Sequence, residues 1–188
     1  KICIIIYLII VLIVKKYNCT PYLIRTHMKK TIKQTIFLKG KKIYLKPFEE
    51  KDITRTYQQH LNDLSGFGIQ IRFPKNKLEL KKYFKDHKKS DTSIFFTVCD
   101  LKNNENIGTA SLSSINWINR NAMYGRLIFK EFRNYGYGSE CLQLIKKYAF
   151  NHLNLRSLWT FVFSNNEASI KSNIKSGGKI CGELKKHA

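Results

Sequence analysis

Apolar and polar residues alternate from Lys42 to Phe48 (KIYLKPF), the period of a half-buried strand, and Pro47 marks its end. Helical spacing follows. Asp52 is placed to cap a helix running to about Leu61, and Asn76 to about Lys88 reads as a second helix. Ser93 to Cys99 (SIFFTVC) is a β-prone run closed by the polar turn Asp100 to Asn106. Two further strands, Ile107 to Ile115 and Ala122 to Phe129, flank a polar turn at Asn116 to Asn121. From Gly138 to Leu153 the period lengthens again. Cys141, Leu142, Ile145, Tyr148, Ala149 and Leu153 share one face, and Glu140, Gln143, Lys147 and Asn151 share the other. Leu158 to Phe163 predicts another strand, and Glu167 to Ser176 a short helix. The order β-α-α-β-β-β-α-β-α implies an α/β (α+β) fold, a mixed sheet with helices packed on it.

The first 27 residues stand apart. Ile2 to Val14 is an unbroken apolar run behind Lys1, shorter than the roughly 20 residues a membrane-spanning helix needs. Lys15-Lys16-Tyr17-Asn18 offers no small-residue cleavage site, and every acidic residue lies after Met28. The expectation is that residues 1–27 are an apolar leader or translated upstream sequence outside the fold. The alternative is a membrane anchor at residues 2–14. No repeat or Pro/Gly/Ser-rich linker breaks residues 28–188, which read as one domain.

Composition narrows the class. Of 188 residues, 43% are hydrophobic and 13% aromatic, which excludes a disordered chain. The formal charge of +21 favours anionic partners, although a Lys-, Ile- and Asn-rich coding bias produces the same balance and the lysines are scattered. The five cysteines, Cys3, Cys19, Cys99, Cys141 and Cys181, form no C-x-x-C pair. No disulfide framework or metal site is expected, and a cytoplasmic location is the simplest assumption.

The segment carrying chemistry is Arg133-Asn134-Tyr135-Gly136-Tyr137-Gly138-Ser139, between a strand and the long helix. The first turn of a helix has unpartnered N–H groups and a partial positive charge, so phosphates are stabilised there. Gly136 and Gly138 permit close approach, Arg133 adds a charge and Ser139 a hydroxyl. The P-loop string G-x-x-x-x-G-K-[ST] is absent. The dinucleotide fingerprint fails too, because Gly136-x-Gly138 is followed by Cys141 in place of the third glycine.

Arg133-x-x-Gly136-x-Gly138, after a strand and opening a long helix, resembles the [QR]-x-x-G-x-[GA] motif of the GNAT superfamily of acyl-CoA-dependent N-acyltransferases. Other stretches, in the same order, resemble that family: Lys46 to Asp52, Asn106-Ile107-Gly108, Tyr148-Ala149-Phe150 with Leu153-Asn154-Leu155, and Asn166 to Ile170 followed by Lys175-Ser176-Gly177. The likeness covers roughly residues 40–184. It implies a mixed, mostly antiparallel twisted sheet flanked by helices, and acetyl-CoA as acyl donor without a metal. It assigns Arg133, Asn134, Tyr135, Gly136, Tyr137, Gly138 and Ser139 to the pyrophosphate. Leu127, Ile128 and Phe129 go to the pantetheine arm, and Asn166 to a cofactor contact or an ordinary helix N-cap.

The chain departs from the family at three places. Where many members carry a tyrosine general acid, it has Asn173, which hydrogen-bonds but supplies no acidic proton. Gly177-Gly178 replaces a Gly-Phe pair. The chain stops at Ala188, so the sheet is expected to lack the family's last strands. Tyr124, His60 and Asp63 are the candidate bases. His60-Leu61-Asn62-Asp63 resembles the W-L-N-D run of members that acetylate nucleotide-linked amino sugars for surface polysaccharide, which is the expected acceptor class. Protein N-terminal acetylation of the ribosomal-protein type is the first alternative. A non-catalytic acyl-CoA-binding or basic nucleic-acid-binding protein is the second. No nucleic acid is expected, because the aromatics fall within predicted strands.

Overall fold

A computed structural model describes residues 35–62, 76–88 and 90–185. Six strands form one sheet in sequence order: β1 Leu38–Lys39, β2 Ile43–Pro47, β3 Ile94–Asp100, β4 Asn106–Asn116, β5 Asn121–Ile128 and β6 Ser157–Trp159. β1 to β5 are antiparallel neighbours, and β6 pairs parallel with β5. The helices are α1 Glu50–Asn62, α2 Lys77–Lys88, α3 Tyr137–Lys147 and α4 Glu167–Lys175. A mixed sheet with flanking helices is the architecture the pattern implied, and its mostly antiparallel pairing is what the family resemblance implied. Asp63 and residues 1–27, with their leader-or-anchor expectation, lie outside the described residues. No helix among the described residues is long and apolar enough to cross a membrane.

Strand pleating sorts the faces. Ile43, Leu45, Phe96, Val98, Ala122 and Ile128 cluster with Cys141, Ile145 and Ala149, so α3 covers that face. The alternate residues face α1. Lys46 Nζ and Thr97 Oγ1 both donate to the buried carboxylate of Asp52, at 2.6 and 2.8 Å, and the Arg55 guanidinium lies over Phe129. Lys46 is held above the ordinary lysine range: burial opposes the shift, but Asp52 and Glu49 outweigh it.

The sequence expectation misses β1 and differs by a residue at several boundaries; three differences have a clear physical cause. Helix α1 begins at Glu50, so Asp52 sits inside its first turn and reaches back to accept from Glu49 N–H at 3.1 Å. Helix α3 starts one residue early and widens into a π turn over Tyr148–His152, where Leu153 N–H reaches Tyr148 C=O at 3.1 Å. The predicted strand 158–163 shrinks to Ser157–Trp159, because only Asn121, Ala122 and Met123 of β5 offer it a partner. By contrast, α2 begins where expected and carries a capping box. Asn76 Oδ1 accepts from Leu78 and Glu79 N–H, both at 2.9 Å, and Glu79 returns a bond to Asn76 N–H. No strand follows α4 among the described residues.

Candidate active site

The short β5–β6 ladder opens a slot. Beyond Met123 the two strands part, so the outer edge of β5 from Tyr124 to Ile128 has no strand partner among the described residues. Antiparallel strands alternate the direction of their backbone groups. Phe129 N–H turns inward to Ile107 C=O at 3.0 Å. Leu127 shares that inward direction, so Ile128 and Arg126 turn their backbone groups away from β4, towards the slot. Ile128 C=O is taken there by Arg133 Nε at 3.0 Å. Of the three residues assigned to the pantetheine arm, Ile128 therefore faces the slot with its main chain, while Leu127 and Phe129 pair with β4.

The slot runs into the start of α3. Chain direction reverses through a short 3-10 turn, Lys130–Phe132, and Asn134 and Gly136 take positive φ of 69° and 83°. Gly136 is the N-cap of α3 in the left-handed region and supplies no side-chain cap. Glu140 N–H is the first to find an intrahelical acceptor, Gly136 C=O at 3.1 Å. Tyr137, Gly138 and Ser139 thus present the orphan N–H groups of the first turn. Three amides and the positive helix end form a cradle for a phosphate. Gly138 lies 3.6 Å from Ile128 Cγ1 at the place a Cβ would occupy, which is ordinary contact, so here the family's Gly-or-Ala choice is open.

Neighbours brace the cradle. Glu140 accepts from Lys41 and Lys42 N–H, tying the β1–β2 turn to α3, and Lys42 Nζ donates to Tyr135 C=O at 3.1 Å. Tyr137 OH donates to Asp100 at 2.6 Å. That bond, aided by burial, pushes Tyr137 up to about 12. Burial works against ionisation of Asp100, yet bonds from Tyr137 and Lys102 N–H hold it below the ordinary carboxylate range. Lys41, Lys42 and Lys102 border a shallow pocket of about 230 Å³ shared with Asp100, Leu101, Tyr135 and Tyr137. Lysines that read as scattered along the chain are here gathered beside the phosphate cradle. Ser139 Oγ and Ser172 Oγ, 3.2 Å apart, join α3 to α4.

The other candidates divide. Asn166 caps α4, its Oδ1 accepting from Ser169 N–H at 3.1 Å. Tyr124 lies on the α3-facing side of β5, and burial, opposed by the charge of Arg126, raises its phenol above the ordinary range. It is protonated at neutral pH. Asn173 Oδ1 accepts from Arg126 Nη2 at 3.0 Å. His60 belongs to the last turn of α1, on the opposite face of the sheet. Arg126 was not singled out by the sequence: it stands at an alternating strand position where only the pairing of β5 brings it to α4. Among the described residues no cluster of three or more His, Cys, Asp or Glu side chains is placed to hold a metal ion.

Comparison with known proteins agrees with this geometry. The family described as "Acetyltransferase (GNAT) domain" matches residues 42–179. The spermidine N(1)-acetyltransferase of Escherichia coli (strain K12) is 28% identical over 144 residues, 76% of this chain and 75% of the relative. Among solved structures, the spermidine N-acetyltransferase of Vibrio cholerae in complex with CoA and spermine superposes with a TM-score of 0.72 at 21% identity, covering 77% of this chain and 85% of that one. A GNAT-family acetyltransferase from Bacillus anthracis gives 0.69 at 19%, covering 81% and 89%.

Proposed function

The chain belongs to the GNAT acetyltransferases, enzymes that move an acetyl group from acetyl-CoA to an amine, and on that premise we propose that its acceptor is a primary amine of a small aliphatic polyamine. The observation that carries the donor half is the continuity of the slot. An unpaired β5 edge runs directly into three free amides at the start of α3. In this reading the pantetheine arm lies along β5 and its pyrophosphate meets Tyr137, Gly138 and Ser139 N–H. Arg133 to Gly136 set the curvature that exposes those amides. The amine nitrogen attacks the thioester carbonyl, and an N–H that β5 turns to the slot stabilises the oxyanion. Tyr124, kept protonated by burial, is a donor more than a base in this arrangement.

For the acceptor, the support is the similarity to the Escherichia coli spermidine acetyltransferase over three-quarters of both chains. A nucleotide-linked amino sugar is the second reading, favoured by one observation: a chain of charge +21 repels a polycation and attracts a nucleotide diphosphate. The test is turnover of acetyl-CoA with spermidine, spermine, amino-sugar nucleotides and an N-terminal peptide, each at equal concentration. Polyamine acetylation at a rate at least about tenfold above the others supports the first reading. Preference for a sugar nucleotide overturns it. Calorimetry with acetyl-CoA on wild type and Gly136→Trp tests the donor site separately: tight binding is expected for the first and none for the second. Equal binding by both removes the site from Gly136.

A further inference from the structure

A departing thiolate needs stabilisation, and Asn173 has no acidic proton to give it. Asn173 belongs to α4, and Arg126 approaches it from the α3-facing side of β5. Arg126 Nη2 donates to Asn173 Oδ1 at 3.0 Å. A guanidinium has only donors, so the amide atom facing it must be the oxygen. The bond therefore fixes which way the amide lies and turns Nδ2, with two N–H groups, the other way. No described residue accepts from Nδ2.

The guanidinium itself is held under the first turn of α3. Its Nε lies 3.9 Å from the place of a Cβ on Gly138, and its Nη1 is out of solvent's reach with no hydrogen-bond partner among the described residues. Burial lowers the pKa of Arg126 somewhat, against the pull of Cys141 and Tyr124, but an arginine so placed stays charged at neutral pH. A positive charge thus stands between the first turn of α3, whose amides form the cradle, and Asn173 of α4.

Resting on the acetyl-CoA reading above, we propose that Arg126 is a positioning residue that locks the Asn173 amide so that Nδ2 donates to the leaving sulfur, while its own charge favours the thiolate. The amine nitrogen forms the new C–N bond, the C–S bond breaks, and the electron pair stays on sulfur. The proton lost by the amine passes to solvent. Sulfur is protonated from water only after departure, so no tyrosyl acid is required.

The thiolate absorbance of CoA bound to the full chain, followed as pH rises, tests this alongside calorimetry. Wild-type protein is expected to ionise bound CoA about one pH unit below the free thiol. Arg126→Met and Asn173→Asp each abolish that shift while CoA still binds, and Arg126→Lys restores part of it. Asn173→Asp is the decisive variant, because it keeps an oxygen facing Arg126, as an ion pair, yet puts an acceptor where the donor stood. Its kcat is expected to fall about 10- to 100-fold, with KM for acetyl-CoA changed by less than about threefold. Bound CoA that ionises like free CoA, or a shift that survives both variants, overturns the role of Arg126. Failure of the wild type to bind CoA overturns the donor reading itself.

Discussion

Single residues decide whether the loop and the sheet beside it can exist. Gly108 on β4 is one: a Cβ there would sit 2.2 Å from Leu127 C=O, a backbone atom that cannot yield. Gly108→Ala is expected to cost about 1–3 kcal/mol, read as a lower denaturation midpoint, by prying β4 from β5. Gly136 is limiting for a different reason. The nearest atom to its absent Cβ is Lys42 Nζ at 3.8 Å, so space is available and the obstacle is its φ of 83°. Gly136→Ala should cost about 1–2 kcal/mol through backbone strain alone. The Tyr137–Asp100 bond gives a pH signature. Tyr137 is raised, so its contribution is present below the unfolded tyrosine value and lost as pH climbs towards about 12. Asp100 is lowered, so its contribution is present above 3.8 and lost as pH falls through its folded value. Tyr137→Phe is therefore expected to lose about 1 kcal/mol, discounted for partial exposure, between about pH 5 and 9. In acid the difference from wild type should vanish. A loss that persists unchanged in acid would assign it to packing.

At the scale of elements, α3 does two jobs with opposite ends. Cys141, Ile145 and Ala149 anchor it to the sheet, fully buried, and its first turn offers the amides. Packing fixes the amides in space, so a core substitution far from the ligand should be felt there. Ile145→Ala is expected to destabilise the fold by about 2–5 kcal/mol and to weaken acetyl-CoA binding in calorimetry. The brevity of β6 matters as much as the length of α3. Had residues 160–163 continued the ladder, the β5 edge would be sealed and the slot lost. Instead Phe161 stands 69% exposed, and the slot-facing backbone of β5 beyond Met123 has no strand partner among the described residues.

For the whole molecule, charge is the governing quantity. With +21 in total and Lys41, Lys42 and Lys102 beside the cradle, association with a polyanionic donor should depend on ionic strength. Raising salt from about 0.05 M to about 0.5 M is expected to weaken acetyl-CoA binding several-fold as the Debye length shrinks. A salt-independent affinity would place the donor's phosphates away from these lysines. Binding should also stabilise the fold, by about 2.7 kcal/mol at a ligand concentration of 100 Kd, seen as a rise in the thermal midpoint.

The sequence by itself determined the order of the elements from β2 onward, the α/β class and the position of the glycine loop, because these rest on local physics; the two-residue β1 was not legible, since it exists only by pairing with β2. Strand alternation, helical periodicity and a glycine's freedom at positive φ are properties of a few neighbouring residues. The start of α2 near Asn76 and the glycines at the head of α3 were readable for that reason. The limits of β6 were not, since a β-prone run becomes a strand only where a partner edge exists, and that edge is set by β5. Asp52 was assigned to a cap when its carboxylate also serves Lys46 and Thr97, residues brought to it by the sheet. Arg126 and Asn173 lie 47 positions apart, and nothing local pairs them. The fold does so by bringing α4 within hydrogen-bond reach of the Arg126 side chain on β5, and that bond sets which way the amide of Asn173 faces.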